Sequence, residues 1–263
     1  MKTLLTSFLL LIGISSYSQI YWMDNYDAAR KVAMEEQKFI VMDFWATWCR
    51  PCVTMEHDMW SKPEMDSIAY NFVALKIDVD HNKDLAVRYG ANSIPKVVLI
   101  DPVGNVVWSK IGYSTPLPYL TILENIPLSA LPGDAVKKEI EENGNENSLS
   151  KIAASYQNLG KTCSSSILSN GFLNLSDRYY HKIEKTGQNE DAVFEAKLNL
   201  ILNDAYRGRT KSAIKQISKL DGKQTELENY IMAYCYKCTG DKDKMKEFKD
   251  QISNPDLLAQ LDE

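Results

Sequence analysis

Cys49 and Cys52 follow directly on an apolar run over 39–44. That run has the length and character of a buried strand. The pair is spaced C-x-x-C within an alternating strand and helix pattern, which is a redox signature. Two cysteines so spaced at a helix start can close a small disulfide ring and reopen it. The first sulfur sits over free backbone N–H groups at the positive helix end. Both stabilise a thiolate, so its pKa falls below the free value of about 8.5. A thiolate attacks disulfides, and a second thiol nearby releases the mixed disulfide. A structural disulfide, or half of a zinc site, are the static alternatives. Zinc needs two further ligands. Cys235 and Cys238 could supply them, but they fall on an expected helix, and His57, His81 and His181 have no ligand spacing.

From Asp43 to Cys52 the chain reads Asp-Phe-Trp-Ala-Thr-Trp-Cys-Arg-Pro-Cys. This resembles the thioredoxin family, whose pattern Asp-Phe-Trp-Ala-x-Trp-Cys-x-Pro-Cys it matches at every fixed position, Pro51 included. The resemblance spans roughly residues 22–126 and says nothing of the rest. It implies that Cys49 is the nucleophile and Cys52 the resolving thiol. It implies that Asp43 is a buried acid taking the proton from Cys52, with Lys76 facing it. A carboxylate with apolar residues on both sides is costly unless paired, although a solvated strand end would also accommodate it. In Ser93-Ile94-Pro95, Pro95 matches the family's cis proline opposite the disulfide. Its implied use is to present the backbone of Ile94 for strand-like pairing with an extended substrate. Without that frame Pro95 is an ordinary loop proline, since about 5–6% of X–Pro bonds are cis. Arg50 departs from the glycine of cytoplasmic members. A guanidinium beside Cys49 favours the thiolate, unless water screens it. Trp48 is expected at the surface bordering the pair, with plain packing as the alternative.

The 263 residues suffice for one or two domains. A hydrophobic content of 44%, a charged content of 25% and a net charge of −5 describe a globular chain with no bias towards nucleic acid. Residues 1–18 are expected to be a signal peptide. Met1-Lys2 is a positive start, residues 4–14 are an apolar run too short to span a bilayer, and Ser16-Tyr17-Ser18 is a small-x-small cleavage site before Gln19. An uncleaved anchor is the alternative. The expected address is periplasmic or secreted, where disulfides persist.

Residues 19–126 are expected to form an α/β thioredoxin fold, a central mixed sheet flanked by helices. Asp24 is expected to cap a first helix reaching Gln37. The Cys49 helix is expected to run to Trp60. Ser61-Lys62-Pro63-Glu64 reads as a capping box opening a helix over 61–70, which looks like a secreted subgroup of the family. Strands are expected over 72–79, 97–100 and 106–109, helices over 83–89 and 116–125, and a stop at Gly90. Pro127, Pro132 and Gly133 mark a linker over 127–133. Residues 134–263 read as an all-α domain, with helices over 134–142, 148–159, 164–185, 190–206, 210–220, 224–239 and 241–252. Gly144, Gly160, Gly187, Gly208, Gly222 and Gly240 punctuate them. The segment 226–252 resembles a tetratricopeptide-type helical repeat with its turn at Gly240-Asp241, and an irregular bundle fits equally. Cys235 and Cys238 share a helix face as packed thiols or a disulfide, and Cys163 is the odd, buried cysteine.

The expected activity is thiol–disulfide exchange, most simply reduction of secreted or periplasmic protein disulfides. A membrane electron carrier would act as reductant, and no cofactor or metal is called for. An oxidase or isomerase, or a partner-binding module on a thioredoxin scaffold, are the competing readings. The motif and its supports all lie within 19–126, so that piece is expected to fold alone.

Overall fold

The structure, a computed structural model, describes residues 20–128, 145–220 and 224–262. The expected signal peptide over 1–18, Gln19, linker residues 129–133, the helix over 134–142, Gly144 and Gly222 lie outside the described residues.

The first half runs β1 (Trp22–Met23), α1 (Tyr26–Glu36), β2 (Phe39–Trp45), α2 (Arg50–Met55), a π-helical turn (Glu56–Trp60) and α3 (Glu64–Ala69). It continues through β3 (Phe72–Asp78), α4 (Lys83–Arg88), β4 (Lys96–Ile100), β5 (Val106–Ile111) and α5 (Leu117–Leu123). The strands form one sheet in the order β1-β3-β2-β4-β5. The first three are parallel, and β4 and β5 run antiparallel to their neighbours. The second half is helical: α6 (Glu146–Thr162), α7 (Ser166–Thr186), α8 (Glu190–Tyr206), α9 (Thr210–Ile217), α10 (Glu226–Thr239), α11 (Lys242–Lys249) and α12 (Pro255–Asp262). This is the expected mixed sheet flanked by helices, followed by an all-α region.

Local chemistry moves several expected boundaries. Asn25, not Asp24, caps α1: its side chain accepts from Ala28 N–H at 2.9 Å, the usual N-cap to N3 bond. The expected capping box at 61–64 does not form. Ser61 donates instead to Glu56 Oε1 at 3.1 Å, and α3 starts after Pro63 without a side-chain cap. β1 was not expected, because two residues cannot display a strand period. α12 was not expected either, yet Asn254 before Pro255 carried the signal, an Asx side chain followed by a proline opening a helix.

β2 alternates across the sheet, as any strand does. Ile40, Met42 and Phe44 pack towards α1 and α4 with Ala29, Ala33 and Tyr89. Phe39 and Val41 enter a different cluster, with Met55, Met59 and Trp60 from α2 and its π-turn and Tyr119 and Ile122 from α5. Asp43, two residues beyond Val41, has the same parity. That second cluster does not stop at the sheet half. It includes Leu149, Ile152 and Tyr156 of α6 and Leu168, Phe172 and Tyr179 of α7. The Phe172 ring lies 5.4 Å from that of Phe39. Gly171 makes the approach possible: a Cβ there would sit 2.3 Å from the carbonyl oxygen of Val107. The remaining helices close a core of their own around Leu202, Tyr230 and Ile231.

A chain cut at 126 would lose the Phe172 cover of Phe39. Phe172→Ala is expected to cost about 3–5 kcal/mol. All five tryptophans lie in the sheet half, whereas the helices dominate far-UV circular dichroism. Shared packing makes the two signals lose their native values together in a urea titration. Two separated transitions, or a Phe172→Ala variant as stable as the parent, would show the halves to be independent.

Candidate active site

Cys49 and Cys52 are joined in a disulfide at the mouth of α2. Cys49 is the N-cap residue of that helix. Its Sγ accepts from the N–H of Cys52 at 3.2 Å, and its carbonyl accepts from Cys52 and Val53 at 3.1 and 3.2 Å. The sulfur therefore occupies the position from which a side chain satisfies an unpaired helix N–H. Pro51 falls in the first turn, where its missing donor costs nothing. The sulfurs pack with Ala46, Trp45, Val79 and Ile94, and in this oxidised state both cysteines are buried.

The Ile94–Pro95 bond is cis. It precedes β4, and the Pro95 carbonyl accepts from Gly112 N–H at 2.8 Å. Trp48 is 65% exposed, and its indole N–H donates to Asp80 Oδ2 at 2.8 Å, which holds an apolar ring at the surface one residue before Cys49. Arg50 is exposed at the first position of α2, so its field on the cysteines acts partly through water.

Asp43 is 3% exposed. Burial pushes its carboxyl up from the ordinary 3.8 to about 7. Lys76 pulls the other way, and Glu56 adds to the rise. The Trp60 indole N–H contributes a weak opposing pull but falls short of hydrogen-bond geometry. Its Nε1 and Asp43 Oδ1 are both buried without a hydrogen-bond partner among the described residues. Lys76 does stand opposite Asp43 in the β2–β3 register. Its ammonium, however, is 4.0 Å from Asp43 Oδ2 and closes its short ion pair with Glu56. The same ammonium lies over the rings of Trp22 and Trp45, at 5.1 and 5.3 Å.

Glu56 is the residue that sequence reasoning missed. It sits seven positions after Cys49, two helical turns on, and the π-turn beginning there carries its side chain to Lys76. A carboxylate two turns into the cysteine helix was the available signal. The expectation of a simple Asp43–Lys76 pair thus becomes a chain in which Lys76 belongs first to Glu56.

The second C-x-x-C is not a disulfide. Cys235 is buried and Cys238 exposed. Three residues on a helix advance about 300°, so the two thiols lie about 60° apart on one side of α10, and the edge of the buried sector falls between them. Cys163 is half-buried rather than fully enclosed. The three histidines are exposed and each meets a carboxylate: Asp58 for His57, Asp78 for His81 and Glu184 for His181. No group of three or more His, Cys, Asp or Glu able to hold a metal occurs among the described residues.

A helix-capping C-x-x-C disulfide beside a mixed sheet, with a buried carboxyl poised near neutrality, defines a thiol–disulfide oxidoreductase. A family model described as Thioredoxin-like matches residues 21–102. Thioredoxin-T of Drosophila melanogaster is 36% identical over 90 residues, covering 33% of this chain and 53% of that protein's length. Thioredoxin-1 of the same species is 39% identical over 74 residues, covering 28% of this chain and 67% of that protein. Thioredoxin of Bacillus subtilis is 35% identical over 75 residues, covering 28% and 68%. A solved thioredoxin from Nicotiana alata is 29% identical, covers 38% of this chain and 84% of its own, and superposes with a TM-score of 0.33. The chain belongs to the thioredoxin family.

Two measurements test the buried acid. A carboxyl whose folded pKa lies above its unfolded value binds a proton that the unfolded chain has released. Its contribution therefore falls as pH rises from about 4 to about 7. Asp43→Asn is expected to unfold at higher urea than the parent at pH 8, by roughly 2–4 kcal/mol, and to converge with it below pH 4. In a 13C NMR titration the Asp43 carboxyl of the parent is expected to titrate near 7, and that of Glu56→Gln lower. An unchanged midpoint in Glu56→Gln would remove Glu56 from the site's electrostatics.

Proposed function

We propose that the protein reduces disulfides of proteins outside the cytoplasm and is recharged by a membrane-borne dithiol carrier. The observation that carries this reading is the buried Asp43 carboxyl, poised near pH 7 on the strand that delivers the C-x-x-C pair. A base with that pKa is suited to proton transfer at neutral pH. In the reduced protein the Cys49 thiolate attacks a substrate disulfide. The substrate S–S bond breaks, a Cys49–substrate bond forms, and the first substrate sulfur leaves as thiolate and takes a proton from water. Asp43 carboxylate then accepts the Cys52 proton. The Cys52 thiolate attacks Cys49 Sγ and expels the second substrate sulfur. Two electrons pass to the substrate, and the protein is left with the disulfide seen here.

Exposed Trp48 offers an apolar ring, and the backbone of Ile94, packed beside the disulfide and just before β4, is where an extended substrate would pair. The export reading rests on residues 1–18, a positive start, a short apolar run and a small-x-small site. A compartment that keeps disulfides oxidised requires an outside source of electrons for a reductase, hence the carrier.

Equilibration with glutathione, followed by tryptophan fluorescence, tests the direction of flow. The expected potential lies between roughly −270 and −200 mV, nearer the thioredoxin end, because Arg50 is exposed and stabilises the thiolate only modestly. A value above about −150 mV would make the protein an oxidase. A value in range without turnover of any protein disulfide would leave a binding module. Resolution of a trapped mixed disulfide is expected to speed up as pH rises through about 7 in the parent, and to lose that inflection in Asp43→Ala.

A further inference from the structure

The β4–β5 turn lies at the end of the sheet away from the disulfide. Ile100 pairs with Ile40 at the start of β2, whereas Cys49 follows the strand's far end. Beside that turn, where the two halves meet, is a cleft of about 460 Å³. Arg30 of α1, Arg88 of α4, and Arg178 and Lys182 of α7 line it, and none of its described lining residues is a carboxylate. Four cations around one cleft stand out in a chain whose net charge is −5.

The three arginines are held in place, but not by acids. Arg30 Nε donates to the Pro102 carbonyl at 2.9 Å, and its guanidinium lies 5.5 Å from the Tyr26 ring centre. Arg88 stacks over Tyr26 and Tyr89 at 5.5 and 5.4 Å. Gly104 leaves room for it, since a Cβ there would come within 3.1 Å of Arg88 Nη2. Arg178 Nη1 donates to Asn105 Oδ1 at 2.6 Å. Asn105 is in turn fixed by the fully buried Asp101, to which its side chain donates at 2.8 Å, and Tyr156 donates to the same Asp101 oxygen at 2.6 Å. Among the described residues none of the three arginines forms a salt bridge, so each keeps guanidinium donors for a visiting group. Planar guanidinium forks match the oxygens of phosphate and sulfate. Of the described lining side chains Val103 alone is aliphatic, and convergent cationic donors of this kind select a small anion over an apolar molecule.

We propose that this cleft binds a compact oxyanion of charge −2 or more, of the phosphate or sulfate class, at a site completed only when the helical half is docked on the sheet half. It is separate from the cysteine chemistry, and its failure would leave the proposed reductase untouched.

Calorimetric titration of the full chain with inorganic pyrophosphate, at ionic strength held constant with chloride, tests it. Saturation at one site per chain is expected. Arg88→Ala/Arg178→Ala is expected to weaken binding at least about tenfold, the loss of one or two charge-assisted hydrogen bonds. Arg178→Lys keeps the charge and loses the fork, so a several-fold loss is expected there even if the double variant folds poorly. Lys215→Ala/Lys246→Ala removes the same charge outside the cleft and is expected to bind like the parent. Sulfate and phosphate run alongside: tighter binding of either supports the site and names the class of its occupant. No saturable heat up to about 10 mM, equal binding by the Arg88/Arg178 variant, or an equal loss in the lysine control would overturn the proposal.

Discussion

Strand β2 is covered on both faces, and the carboxyl at position 43 is buried with it. One face meets α1 and α4; the other meets α2, its π-turn, α5 and, through Phe39, the helical half. Packing of this kind stabilises the fold through apolar area removed from water. The same packing desolvates Asp43 and holds its proton to near-neutral pH. Stability and reactivity thus draw on one arrangement in opposite senses. The layers that secure the sheet make the ionised acid unfavourable, and an acid that is unfavourable when ionised is a competent proton acceptor.

Lys76 shows how finely that balance is set. An ammonium in direct contact with Asp43 would offset the desolvation and leave a weak base. Glu56 takes the ammonium instead, and that ammonium also lies against the aromatic faces of Trp22 and Trp45. The π-turn that aims Glu56 occurs where the cysteine helix would otherwise continue unbroken. Inserted turns of this type accompany functional sites often enough to make that placement unsurprising.

What the sequence disclosed was what neighbours in the chain decide. The cysteine frame, the buried β2, the glycine stop at Gly90 and the helix Glu190–Tyr206 all follow from residues within one or two turns of each other. Asp24 and Asn25 are adjacent cap-forming residues that differ only in which one reaches the third N–H, and that is decided by the backbone leading into α1. The ion pair of Glu56 with Lys76, the packing of Phe172 against Phe39, and the arginine-lined cleft are not readable in the chain. Each depends on elements separated by tens of residues, and nothing in a cleft-lining arginine's own neighbourhood distinguishes it from a solvated one. Cys238 misled for a related reason, since spacing gives an angle around a helix but not where the buried sector ends.

The Cys49 sulfur caps α2 as well as carrying the chemistry. Folding and redox state are therefore linked in a closed thermodynamic cycle. A thiolate accepts from the helix N–H groups more strongly than a disulfide sulfur does, so reduction changes how firmly the first turn of α2 is held. Around that cycle, whatever stabilises the reduced fold over the oxidised one must appear as a higher potential, with about 30 mV for each 1.4 kcal/mol. Substitutions in that first turn, even ones that touch neither sulfur, are then adjustments to the protein's electron affinity.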